Sequence, residues 1–191
     1  MPPADKAPCA LFVFFGLIAS GKSTLAATWA RRHGMAYFNS DRVRKELAGI
    51  TPETGQKESF NRGIYSHEFT RQTYAALLAK AQAEIAGGRP VVLDASYQEQ
   101  QERKRVCELA KRLGCRVRFI LCSCPEEETR RRLAERALDP LAVSDGRWEI
   151  YLRQKESFSP PMELAASELV TISTEASVEA LLEQLDDLLA G

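Results

Sequence analysis

No apolar run in this sequence approaches the roughly 20 residues that a helix needs to span a bilayer. A charge excess is missing too: 26 basic residues balance 26 acidic ones, which leaves no global field to gather nucleic acid or an anionic membrane. The opening stretch, MPPADKAPCA, lacks the apolar core and cleavage site of a signal peptide, so the expected compartment is the cytoplasm. Five cysteines (Cys9, Cys107, Cys115, Cys122 and Cys124) form an odd set without a C-x-x-C pair, which argues against a disulfide framework and for ordinary thiols. Cys122 and Cys124 have no histidine nearby to complete a metal site. No internal repeat or low-complexity tract stands out. The 191 residues suit one domain, 1–191, with residues 1–9 as an N-terminal tail.

What is present is GLIASGKST, residues 16–24, which fits the phosphate-binding pattern G-x-x-x-x-G-K-[ST]. Gly16 and Gly21 let the backbone curl so that N–H groups of Leu17, Ile18, Ala19 and Ser20 can turn inward as a nest for phosphate oxygens. Lys22 is placed to neutralise the outer phosphates and to act in catalysis. Ser23 opens a helix and offers a hydroxyl to Mg²⁺, and the positive end of that helix, continued by Thr24, attracts the same anion. The surroundings agree with the pattern. Leu11, Phe12, Val13, Phe14 and Phe15 read as a buried parallel strand, and Leu25, Trp29 and Ala30 recur at helical spacing. A plain glycine-serine turn would require neither the lysine nor the hydroxyl.

Further along, Gly34 stops the first helix after Arg31, Arg32 and His33, so His33 is a helix-end residue first. Residues 35–39 read as a second strand, followed by a two-turn helix, DRVRKELAG, with Val43 and Leu47 as its packed side. Residues 51–65 carry Pro52, Gly55 and Gly63 and read as a mobile loop. A long helix starts at Ser66, and VVLDAS follows as a central strand ending in Asp94. The next helix buries Val106, Leu109, Ala110 and Leu113 and exposes Arg103, Lys104 and Arg105. Residues 117–122 form a fourth strand, Pro125 opens an arginine-rich helix, 148–158 is helical, 169–173 is a fifth strand, and Ser177 caps the last helix. Alternating strands and helices predict an α/β fold, a three-layer sandwich with a five-stranded parallel sheet and helices on both faces. Its ligand crevice should lie beyond the carboxyl ends of the strands. That gathers the loop after Phe15, Ser40 with Asp41, residues 94–97 and the segment after Ser173.

Those stretches supply the candidate chemistry. Asp94 ends an apolar strand, where a carboxylate can hold Mg²⁺ directly or through water opposite Ser23, a role that the phosphate loop in the same chain favours over capping the next loop. Asp41 can face the γ-phosphate and accept the proton of a substrate hydroxyl, or it can merely cap its helix. Arg44 and Lys45 follow on the same helical side and could hold an anionic substrate. Arg130, Arg131, Arg132 and Arg136 are a solvated face by default, yet Arg132 and Arg136 project together beside a breaker-rich stretch, which suits a lid over about 125–147 that brings arginines to the phosphates. Tyr65, Ser66 and Tyr97 are candidates to line an acceptor pocket.

Taken together, GLIASGKST, SDRVRKELAG, IYSHEFTRQTY, VVLDASYQEQQER and CPEEETRRRLAER resemble the P-loop kinase group that includes polynucleotide kinases, zeta toxins, chloramphenicol phosphotransferase and gluconate kinase. The chain most resembles the AAA-type ATP-binding kinase domain found fused to aminoglycoside-phosphotransferase-like domains, although no such neighbour is part of this sequence. The resemblance implies a P-loop NTPase fold with ATP on residues 16–24, Mg²⁺ near Ser23, and Asp41 as base. It also implies that Arg44 binds substrate, that Arg132 and Arg136 belong to an arginine-bearing lid, and that adenine sits near residues 174–178. The expected function is an ATP-dependent phosphotransferase acting on a hydroxyl of a small-molecule or nucleoside-like acceptor. A polynucleotide 5′-hydroxyl kinase is the alternative, disfavoured by neutral charge and few interleaved aromatics. A nucleotide-gated regulatory protein without a dedicated acceptor is another.

Overall fold

A computed structural model describes residues 9–50, 66–138 and 147–190. Strands and helices follow in the order β1 (Ala10–Phe15), α1 (Lys22–Arg32), β2 (Ala36–Asn39), α2 (Ser40–Leu47), α3 (His67–Ala86), β3 (Val91–Asp94), α4 (Gln100–Leu113), β4 (Arg116–Ser123), α5 (Glu126–Ala137), α6 (Trp148–Ser157), β5 (Leu169–Ser173) and α7 (Val178–Ala190). The five strands form one parallel sheet in the order β2-β3-β1-β4-β5. The tail over 1–8, the loop over 51–65 and residues 139–146 of the expected lid lie outside the described residues. Among those described, no helix is long and apolar enough to cross a membrane.

A strand apolar at every position must be covered on both faces, and β1 is. Leu11, Val13 and Phe15 share a buried cluster with Leu77 and Ala81 of α3 and with Val106 and Leu109 of α4. Phe14 belongs to the opposite cluster, with Leu25 and Trp29 of α1 and Leu181 and Leu185 of α7. The alternation of side chains along the strand therefore builds the expected three-layer α/β sandwich. The register sets Phe14 beside Asp94 and Asn39 beside Asp94. The carboxyl ends of β2, β3 and β1 thus finish level, which is what brings their following loops together.

Three expectations need correction. On α2, Val43 is buried but Leu47, the last residue of the helix, is 47% exposed, while Arg44 and Lys45 are buried. The packed arc lies one turn earlier than the apolar pattern implied. On α4, Arg103 is fully buried. It falls three residues before Val106 and seven before Ala110, hence on the core stripe. Its guanidinium meets Glu163 at 2.5 Å through Nε and at 3.3 Å through Nη2. Nη1 donates to the carbonyls of Tyr97 and Gln98 at 2.8 and 3.1 Å. Nη2 donates to those of Ser159 and Pro160 at 2.9 and 3.4 Å.

The cysteine pattern is the third. Cys9 and Cys115 precede β1 and β4, whose register pairs Ala10 with Arg116, so the two cysteines lie with Cα atoms 4.8 Å apart and form a disulfide. Cys107, Cys122 and Cys124 are free thiols as expected. Burial pushes the Cys122 thiol up to about 12, so it stays uncharged.

Removing Arg103 would leave Glu163, whose side chain is 8% exposed, as an unpaired buried charge. Arg103→Met is expected to cost about 3–5 kcal/mol of folding stability in a urea titration. Lys104→Met, on the exposed side of the same helix, is expected to stay within about 0.5 kcal/mol of wild type.

Candidate active site

The chain leaves β1 at Gly16, whose N–H donates to the carbonyl of Ser96 at 3.3 Å. Its φ is +139°, and a Cβ there would collide with the carbonyl oxygen of Cys122. Only glycine lets the loop pass between the ends of β3 and β4. Gly21 caps α1 at φ +79°, where a Cβ would lie 2.8 Å from Thr174 Oγ1. No side chain caps α1, and its first turn carries no acid, so the first helical N–H groups point at the cleft as an anion site. Lys22 Nζ folds back to donate to the carbonyl of Leu17 at 3.2 Å.

The loop is braced from the far side. Gln154 Oε1 on α6 accepts from Ile18 N–H at 2.7 Å, and Thr174 Oγ1 donates to the carbonyl of Ser20 at 2.7 Å. Arg132 on α5 donates to the carbonyl of Ala19 at 3.2 Å and to that of Thr174 at 2.5 Å, with Glu128 holding its Nε at 2.7 Å. Ile18 and Ala19 pack against Leu133 and Tyr151. Sequence reasoning missed Gln154 altogether, since nothing local marks a glutamine 136 residues away as a loop partner.

Behind the loop, Asp94 is fully buried. Its Oδ2 accepts from Tyr37 OH at 2.6 Å and from Asn39 Nδ2 at 2.7 Å. Its Oδ1 has no hydrogen-bond partner among the described residues. Burial, then the Asp94 charge, hold the Tyr37 phenol well above its ordinary value, so it remains a donor. The other end of the Asn39 amide is also used: Oδ1 accepts from the N–H groups of Asp41 and Arg42, both at 3.1 Å. Asn39 is therefore the cap of α2, and Asp41 does not serve as one. Nothing in the strand pattern of residues 35–39 distinguishes Asn39 as both donor and cap.

A cleft of about 580 Å³ is lined by Asn39, while Asp94 and Tyr37 lie outside its lining. Lys22, Ser23, Asp41 and Arg44 all line it, and Arg136 reaches it from α5. Burial raises the Asp41 carboxyl above its ordinary value, opposed first by Lys22 and then by Arg44. Arg44 Nη1 donates to Thr70 Oγ1 at 3.2 Å. A second hollow on the other side of Gly21 is lined by Arg132, Arg136, Thr174, Ala176 and Val178. The segment after Ser173, expected in the same crevice as Asp41, lines this hollow and not the cleft. Among the described residues no group of three or more His, Cys, Asp or Glu gathers as a metal cage.

One expected pocket residue does not fit. Tyr97 is buried and stays out of the cleft lining, its ring packed on Tyr74 at 5.0 Å and its N–H donating to Tyr74 OH at 3.1 Å. The positive φ of +42° turns it inward. Tyr65 lies outside the described residues. Tyr74, Ser96, Glu102 and Arg105 also line the cleft, the last expected on an exposed face. Arg130 and Arg131 are the solvated face of α5, with Arg130 over the Trp148 ring at 3.9 Å and Arg131 paired to Glu128 at 2.7 Å.

Asn39→Ala would remove a helix cap and one of two donors to a buried carboxylate. The expected loss is roughly 2–4 kcal/mol in a urea titration, the cap and the unsatisfied acceptor together. A loss under about 0.5 kcal/mol, the range of ordinary surface substitutions, would contradict the bonding described.

The sequence profile of the AAA domain family matches residues 11–161. Uncharacterized proteins of Mycobacterium tuberculosis and Mycobacterium bovis are 29% identical over 118 residues, which is 62% of this chain and 24% of theirs. The chain thus matches about a quarter of the length of these relatives. Among solved structures, a sugar kinase from Janibacter sp. superposes with a TM-score of 0.67 at 17% identity, covering 96% of this chain and 95% of its own. The APS kinase of Mycobacterium tuberculosis, in complex with AMPPNP and APS, gives 0.66 at 17% identity over 96% and 98%. A gluconokinase from Sinorhizobium meliloti gives 0.60 at 18% identity over 96% of each. At this identity the likeness is one of fold. With the profile running from β1 past α6, the chain belongs to the AAA domain family and has the fold of the P-loop kinases.

Proposed function

We propose that the chain is an ATP-dependent kinase that transfers the γ-phosphate to a hydroxyl of a small-molecule or nucleoside-like acceptor. The observation that carries this is the convergence of Lys22, Ser23 and Asp41 on one cleft at the mouth of the glycine loop. Solved relatives named as sugar kinase and gluconokinase support the small-molecule reading.

In this reading Gly16, Leu17, Ile18, Ala19, Ser20, Gly21, Lys22, Ser23 and Thr24 hold the triphosphate. Lys22 exchanges the Leu17 carbonyl for the outer phosphates. The hollow beside Thr174, Ala176 and Val178 takes the adenine. Ser23 Oγ and Asp94 Oδ1 would hold Mg²⁺, directly or through water, and the orphaned oxygen of Asp94 fits that role. A bound Mg²⁺ supplies positive charge against the phosphate oxygens. Asp41 accepts the acceptor's hydroxyl proton as the new oxygen–phosphorus bond forms and the bond to the β,γ-bridging oxygen breaks, with ADP leaving. Arg44 steadies the acceptor. Arg136, with Arg132 behind it, belongs to the lid side and offsets charge on the transferring group.

Incubation with Mg²⁺, ATP and a metabolite library, read by mass spectrometry, should yield a phosphorylated product. Asp41→Asn is expected to lower turnover by about 10²–10⁴-fold, the usual contribution of a general base, while ATP affinity stays within a few-fold. Because burial raises Asp41, the carboxyl is protonated and inactive at a higher pH than an ordinary aspartate. The kcat/KM profile should therefore fall on the acid side with a midpoint above the usual aspartate range. Unchanged turnover in Asp41→Asn would remove Asp41 as the base.

A further inference from the structure

The acceptor half of the cleft carries more charge than a neutral alcohol requires. Beyond the glycine loop it is walled by Arg44 of α2, Arg71 of α3, and Glu102 and Arg105 of α4. Arg44 is buried, with 7% of its surface exposed, and is steadied by Thr70. Glu102 is nearly as buried at 8%. Its Oε1 accepts from Arg105 at 2.9 Å, whereas its Oε2 is buried and has no hydrogen-bond partner among the described residues. Tyr74 lines the cleft with them. Guanidinium forks match the planar oxygens of carboxylates and phosphates. An orphaned carboxylate oxygen in the same wall calls for an O–H or N–H donor. The guanidinium groups of Arg44, Arg71 and Arg105 lining the same cleft disfavour a cationic amine and favour a hydroxyl.

We propose that the acceptor carries its own anionic group, held by Arg44 with Arg71, and a second hydroxyl beside the one phosphorylated, which donates to Glu102 Oε2. This rests on the phosphotransfer reading and names its substrate class: a hydroxylated small-molecule anion, with a carboxylate or a phosphate ester as the charge. Among the described residues this cleft of about 580 Å³ must take the outer phosphates together with the acceptor, which suits a small molecule.

The test uses a bacterial metabolite extract split on an anion-exchange resin into retained and unretained pools. Each pool is incubated with the full chain, Mg²⁺ and ATP labelled on the γ-phosphate. Label should enter acceptors of the retained pool at least tenfold more than those of the unretained pool. Phosphatase treatment of the retained pool beforehand separates the two sources: persisting transfer identifies a carboxylate and lost transfer a phosphate ester, and either supports the proposal. Arg44→Gln should cut transfer to the retained pool at least tenfold, with the dissociation constant for ATP within twofold. Arg71→Gln, whose exposed position keeps folding out of question, should cut it severalfold. Transfer chiefly to the unretained pool would overturn the anionic acceptor while leaving a kinase, and transfer to neither pool would remove both readings. Wild-type transfer by both variants would overturn the assignment to these arginines.

Discussion

A carboxylate buried to completion at the end of β3 is the constraint that the rest of the site answers to. Asp94 can stay there only with donors, and the register of β2 against β3 puts Tyr37 and Asn39 within reach of one of its oxygens. Asn39 then does two jobs with one amide. Its nitrogen serves Asp94 and its oxygen caps α2, so the orientation of that helix is tied to the buried carboxylate. α2 carries Asp41 and Arg44 into the cleft. The position of the proposed base is thus set by a hydrogen-bond relay that starts in the sheet, and freeing Asp41 from capping is part of the same arrangement.

The glycine loop is constrained from two directions at once. The sheet side forces Gly16 through a gap that no side chain fits, while Arg132, Thr174 and Gln154 hold the carbonyl and amide groups of the tip. A loop fixed in advance spends little on ordering when an anion arrives, which is how preorganisation favours phosphate binding. The same braces link the loop to α5 and α6, so the helices bearing Arg136 and Arg153 are mechanically continuous with the phosphate cradle. Arg103 performs the matching task on the acceptor side, clamping Gln98 to the segment after α6.

How much of this could be read from the sequence follows from the range of each interaction. The loop, its flanking strand and helix, and Asp94 were legible because glycine torsions, apolar runs and strand ends are local properties. The five-stranded order of layers followed from the alternation. Arg103 was not legible, because a charged residue is buried only if distant partners such as Glu163 come to meet it. The helical spacing of Arg103 with Val106 and Ala110 was the one available hint. The pairing of Cys9 with Cys115 depends on strand register, which composition does not encode. Tyr97 turned inward on a backbone torsion that tyrosine seldom adopts, so its side chain packs where a pocket residue was expected.

In the proposed function a preformed loop and a buried carboxylate together bind a magnesium-complexed triphosphate. Isothermal titration of ATP into the chain, with and without Mg²⁺, measures this directly. The expected result is one site per chain, with affinity that rises on adding Mg²⁺, falls in Asp94→Asn in a magnesium-dependent way, and is lost in Lys22→Met. Saturable binding that ignores both Mg²⁺ and Lys22→Met, or no heat at all, would contradict it.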